Sequence, residues 1–110
     1  MASQLRRSRV NEAIQKALGK IIQEETELEV LVSILEVKTS VDLQWADVFV
    51  SVLPFGRRRE TVSYLMRRAP YFQALLNKAL NIKHTPKIRF KEDVRLQLEN
   101  YGDVIDEAGM

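Results

Sequence analysis

The chain has 110 residues, 45% hydrophobic and 29% charged, at 12.7 kDa. That is one globular domain, long enough to bury roughly two-thirds of its surface in a single core. It has no cysteine and one histidine, which excludes a disulfide framework, thiolate chemistry and a His-rich metal site. No apolar run reaches the roughly 18–20 residues a membrane span needs: the longest, Leu28 to Val37, is broken by Glu29, Ser33 and Glu36. The arginines near the start are not followed by an apolar leader core, so a cytoplasmic protein is expected.

The net charge of +2 hides an asymmetry. Residues 1–91 carry 16 Lys and Arg against nine Asp and Glu, whereas residues 92–110 carry one Arg against six acids. A basic body at +7 thus precedes an acidic segment at −5. Such a body attracts polyanions, and nucleic acid is the commonest of these. Plain solubility is the competing explanation.

Gln4 to Glu25 reads as a helix, with Val10, Ile14, Ala17, Leu18, Ile21 and Ile22 at three- and four-residue steps. Ser3 or Ser8 is a candidate cap. The acids Glu24, Glu25, Glu27 and Glu29 lack the Gly-containing loop of an EF-hand, so no cation site is expected there. Residues 31–38 are strand-like, and 39–42 (Thr-Ser-Val-Asp) have turn chemistry, with Asp42 expected to bond the turn backbone. Residues 44–53 alternate Ala46, Val48, Val50 and Val52 with Trp45, Asp47, Phe49 and Ser51, completing a β-hairpin. One face of that strand meets helices; Trp45 and Phe49, on the other, need a neighbour or a partner.

Pro54 ends the hairpin, and a helical period resumes after Arg57-Arg58-Arg59. Pro70 sits inside it, so two helices are expected, about 58–68 and 70–81, with the kink at Ala69-Pro70. Lys87 to Lys91 alternates basic residues with Ile88 and Phe90, a third strand. The order α-β-β-α-kink-α-β implies an α+β fold, a three-stranded sheet packed on helices, over residues 1–93, with 94–110 as an acidic C-terminal tail.

Three guanidiniums at a strand-to-helix junction, Arg57, Arg58 and Arg59, can grip phosphates bidentately, although a solvated loop with Arg59 paired to Glu60 explains them as well. Arg67 and Arg68 flank the kink. Arg6, Arg7 and Arg9 form a basic arm or first turn, or a frayed terminus. Lys87, Arg89 and Lys91 share one strand face, where charge also protects an edge from aggregation. Trp45, Phe49, Tyr64, Tyr71 and Phe72 read as core aromatics, with Tyr71, beside the kink, the candidate for base stacking. His84 reads as a loop residue. No nucleophile–base pair and no phosphate-cradling Gly-rich loop is present, so no enzyme and no cofactor are expected.

The hairpin resembles that of the ribosome-binding factor A family, whose V-x-V-S-x-D-L-x-x-A-x-V-Y-V-S pattern stands here as Glu36-Val37-Lys38-Thr39-Ser40-Val41-Asp42-Leu43, then Ala46, Val48, Phe49, Val50 and Ser51. The Arg-rich first helix and the segment Thr85-Pro86-Lys87-Ile88-Arg89-Phe90 with Asp93 are also similar, and the likeness spans about residues 5–93. It implies a type II KH-like domain without a GxxG loop, and the chain has none. The family's Ala-x-Gly kink appears as Ala69-Pro70-Tyr71: the alanine matches, the glycine does not. The resemblance further implies a non-catalytic, monomeric RNA-binding factor. Its partners would be the 30S subunit and 16S rRNA, in late rRNA maturation and cold adaptation. A protein-interaction or dimerisation module of the same fold is the alternative.

Overall fold

The computed structural model describes residues 3–26 and 29–93; the expected acidic tail, 94–110, lies outside the described residues. Helix α1 (Gln4–Glu25) leads into strands β1 (Leu31–Thr39) and β2 (Trp45–Leu53), then a short 3-10 turn (Phe55–Arg57), α2 (Arg58–Arg67), α3 (Ala69–Ala79) and β3 (Lys87–Glu92). The sheet order is β1-β2-β3, with β2 antiparallel to β1 and parallel to β3. This is a KH-like α+β fold, and each expected element is present with ends shifted by one or two residues.

The core lies between the helices and one sheet face. From α1 come Ile14, Leu18 and Ile22, one turn apart, each at most 1% exposed. They meet Ala46, Val48, Val50 and Val52 of the central strand, with Leu65, Phe72 and Leu76 from α2 and α3. Phe72 is the aromatic hub, with Tyr64, Tyr71 and Phe90 set edge-on to its ring at centroid distances of 6.4, 5.7 and 5.8 Å. Such geometry suits the ring quadrupole and adds about 0.5–1.5 kcal/mol per pair beyond burial.

Strand β1 contains a β-bulge that simple alternation does not anticipate. Ile34 opposes Val50 but Glu36 opposes Phe49, leaving Leu35 without a partner. Because side chains alternate with period two, the extra residue reverses the facing of the rest of the strand. Val32 and Ile34 before it, and Val37 and Thr39 after it, therefore all pair with the core-facing residues of β2.

Both edge strands are closed by helix side chains. Arg7, Asn11 and Gln15 recur every fourth residue on α1. Arg7 Nη2 donates to the Thr39 carbonyl at 2.6 Å, the Thr39 N–H donates to Asn11 Oδ1 at 3.1 Å, and Gln15 Nε2 donates to the Ile34 carbonyl at 3.1 Å. On the far edge, Gln73 of α3 accepts from the Ile88 N–H at 2.8 Å and donates to the Pro86 carbonyl at 3.1 Å. These bonds satisfy backbone groups that would otherwise recruit another strand.

The hairpin turn is built as its sequence suggests. Asp42 Oδ1 accepts from Ser40 Oγ at 2.7 Å and from the Gln44 N–H at 3.1 Å. The Ser40 hydroxyl, then the Gln44 amide, hold the Asp42 carboxyl below its ordinary range. Leu43 takes φ 58°, a left-handed conformation that costs a non-glycine residue about 1–2 kcal/mol; its N–H closes the turn on the Ser40 carbonyl at 2.9 Å.

Replacing Gln73 with Met keeps the side-chain volume but strands the Ile88 N–H. Gln73→Met is expected to lower unfolding free energy by about 1–3 kcal/mol in urea titration. An unchanged midpoint would show that the clamp on β3 carries no stability.

Candidate nucleic-acid interface

The cations nominated from the sequence divide into those the fold engages and those it leaves to solvent. Arg57, Arg58 and Arg59 do not act as one fork. Arg57 Nε pairs with Glu60 Oε1 and its Nη1 lies 3.8 Å from Glu29 Oε2. The pair to Glu60 is thus made by Arg57 and not by Arg59, because three-residue spacing brings 57 and 60 together on one turn. Arg58 lies over the Phe55 ring at 4.0 Å to its centroid, with Nε 3.6 Å from Glu92. Arg59 is exposed, and among the described residues its side chain has no ion pair or hydrogen bond.

The helix break falls at Arg68, whose φ and ψ of −94° and 9° leave the helical range. Proline in a helix interior clashes with the carbonyl four residues back, here Met66. One position into α3, Pro70 costs nothing, since N–H groups there lack a helical acceptor. Arg67 and Arg68 are consecutive but serve different places. Arg67 lines a cleft of about 280 Å³ between the end of α1 and α2, together with Arg57, Thr61, Tyr64 and Glu25. Arg68 stacks on Tyr71, 4.4 Å from its ring centroid.

Tyr71, the candidate for base stacking, is 37% exposed. Its hydroxyl donates to Glu25 Oε2 at 3.0 Å, and that carboxylate raises the phenol above its ordinary pKa. One ring face already holds a guanidinium, so Tyr71 and Arg68 form a single two-layer stack beside the cleft.

Arg6, Arg7 and Arg9 belong to ordered helix, not to a frayed arm: Ser3 Oγ caps α1 by accepting from the Arg6 N–H at 3.1 Å. Arg7 is committed to the β1 edge, whereas Arg6 and Arg9 are exposed. Lys87, Arg89 and Lys91 alternate outward from β3 while Ile88 and Phe90 are buried. They stand on the sheet face opposite the helices. That face also carries Trp45, which is 40% exposed, so Trp45 is no core residue. His84 lies in the exposed loop between α3 and β3. Among the described residues, no group of His, Cys, Asp or Glu is arranged to hold a metal ion, and no helix is long and apolar enough to cross a membrane.

Comparison with known proteins agrees with this architecture. A family model described as ribosome-binding factor A matches residues 6–106. The ribosome-binding factor A of Caldanaerobacter subterraneus is 31% identical, covering 94% of this chain and 86% of the relative; that of Clostridium botulinum is 29% identical over 93% and 90%. Among solved structures, a Thermotoga maritima protein described as a putative ribosome binding factor A aligns with TM-score 0.67 and 33% identity, covering 84% of this chain and 92% of that one. The crystal structure of ribosome-binding factor A from Thermus thermophilus aligns with TM-score 0.69 at 18% identity, covering 78% and 94%, a likeness of fold. The chain belongs to the ribosome-binding factor A family.

The division of arginines makes a stability prediction. Arg59→Ala is expected to leave unfolding free energy within about 0.5 kcal/mol of the parent. Arg58→Ala is expected to cost about 0.5–1 kcal/mol through loss of its stack on Phe55. Thermal melts of the two variants check this, and equal costs would show that the arginine run is energetically uniform.

Proposed function

We propose that this protein binds the free 30S small ribosomal subunit or its precursor and assists late maturation of 16S rRNA as a non-catalytic RNA-binding factor. The observation that carries the reading is the family match along residues 6–106. A Thermus thermophilus relative of this fold has been fitted into the map of a complex of the 30S subunit with ribosome binding factor A (TM-score 0.65, 20% identity, covering 74% of this chain and 88% of that one).

The chemistry of the helical side suits RNA. Arg59 and Arg67 present guanidiniums without intramolecular acceptors among the described residues, and phosphate oxygens are their natural bidentate partners. The Arg68–Tyr71 stack, at the same end of α2 as Arg67, offers a planar surface to an unpaired base. Phosphate contacts fix position without chemical change, so the factor stabilises one arrangement of rRNA and leaves when that arrangement no longer fits. A cytoplasmic monomer active in cold adaptation is part of the same reading. Exposed Trp45 favours the alternative, a dimerisation module.

Sedimentation tests the proposal. The protein is expected to pellet with 30S particles but not with 70S ribosomes, with affinity falling steeply as salt rises. Replacing Arg59 and Arg67 with Ala should weaken binding and flatten the salt dependence by about 2 in log–log slope. Salt-insensitive self-association without 30S binding would establish the dimerisation module instead.

A further inference from the structure

The sheet face away from the helices carries a constellation separate from the helix break. Trp45 of β2 stands opposite Lys87 of β3, Asp47 opposite Arg89, and Phe49 opposite Lys91. The Arg89 guanidinium lies 4.5 Å from the Trp45 ring centroid and the Lys87 ammonium 5.6 Å from it. From the other side, Lys38 of β1 reaches within 5.7 Å of the Phe49 centroid. Asp47 lies between these groups, accepting from Arg89 Nε at 2.8 Å and 3.4 Å from Lys91 Nζ. Four cations thus surround two aromatic rings, against two carboxylates, Asp47 and Glu36.

We infer that this face is a second RNA-binding surface, one that takes a single-stranded segment by stacking a base on the Trp45–Arg89 platform. The inference rests on the RNA-binding reading above and adds a separate surface to it. Single strands are held where aromatic or guanidinium planes meet the bases and cations track the phosphates. Trp45 supplies one plane, and the Arg89 guanidinium, held by Asp47, lies over it as a second. Lys87 and Lys91, four residues apart on β3 with Arg89 between them on the same face, are spaced to follow a backbone. Asp47 is the positioning residue: with its charge drawn to Arg89 and Lys91, it aligns the guanidinium and offers little repulsion to a phosphate. A protein partner is disfavoured because the apolar centre is only two rings wide within a cationic rim, whereas the core of a protein interface is depleted in charge. The sheet stands between this face and the helix break, so two RNA segments can be engaged at once.

Trp45 is the only tryptophan in the chain, so its fluorescence reports on this face alone. The full chain is titrated with dye-labelled hexa-adenylate at low salt, following both label anisotropy and Trp45 emission. Quenching that saturates together with anisotropy is expected. Trp45→Leu should weaken hexanucleotide binding about tenfold. The double variant Lys87→Ala/Lys91→Ala keeps the reporter and alters only exposed side chains; its log–log salt slope should fall by about 1.4. The double variant Arg59→Ala/Arg67→Ala should weaken 30S binding yet quench as the parent does. RNA binding with unchanged Trp45 emission and an unaffected Trp45→Leu variant overturns the second surface while RNA binding itself stands. Sedimentation with 30S but no hexanucleotide binding also overturns it. Failure of both assays removes the RNA reading as well. Emission that shifts with protein concentration alone makes the face a self-association surface.

Discussion

One unpaired residue, Leu35, decides which way the hairpin faces. Without its bulge, Val37 and Thr39 would share a face with the outward residues of the first half of β1, and the strand would bury one half only. With it, four residues of β1 line up over Ala46, Val48, Val50 and Val52, and the core closes around α1. The same shift turns Glu36 and Lys38 outward, opposite Phe49 and Asp47, which brings Lys38 to the Phe49 ring. The composition of the outer face and the continuity of the core therefore have a common cause.

Two further devices distribute the positive charge. The edge clamp on β1 takes Arg7, and the ion pairs and stacks around the 3-10 turn take Arg57 and Arg58. Exposed ion pairs contribute little stability, but they orient side chains and lower the free charge of a surface. Of the arginines considered for RNA contact, Arg6 and Arg9 on α1, Arg59 at the start of α2 and Arg67 at its end remain without an ion pair or hydrogen bond among the described residues, whereas the lysines of the opposite face are drawn to Glu36, Trp45 and Asp47. A surface with a few open guanidiniums amid engaged ones favours a placed RNA over any polyanion, since non-specific affinity scales with the number of phosphates neutralised.

The element order, the core stripe of α1, the Asp42 turn and the break near Pro70 were legible because each rests on local periodicity or on backbone chemistry. The bulge was less so. Its trace is the adjacent pair Ile34-Leu35 in an otherwise alternating strand, a signal easily taken for a fully buried strand. The guanidiniums set against the Trp45 and Tyr71 rings were not legible, because covering by a charged side chain leaves no mark in hydropathy. The partners of the arginines were equally hidden. Arg7 meets Thr39 across 32 positions, and the Tyr71–Glu25 bond spans 46, distances that only the folded chain defines. The polar stripe Arg7, Asn11 and Gln15 carried a readable signal, a four-residue repeat beside an apolar one, which points to a helix face set against an edge strand.

The most direct test of the account is photochemical cross-linking of the protein to RNA within its 30S complex, with the cross-linked residues mapped by mass spectrometry. The account predicts nucleotide adducts on peptides containing Arg59 or Arg67 on the helical side, and on the β3 peptide containing Lys87 to Lys91 on the other. Adducts confined to the α1–α3 groove around Lys16, Lys20 and Leu80, or contacts to ribosomal proteins alone, would contradict it.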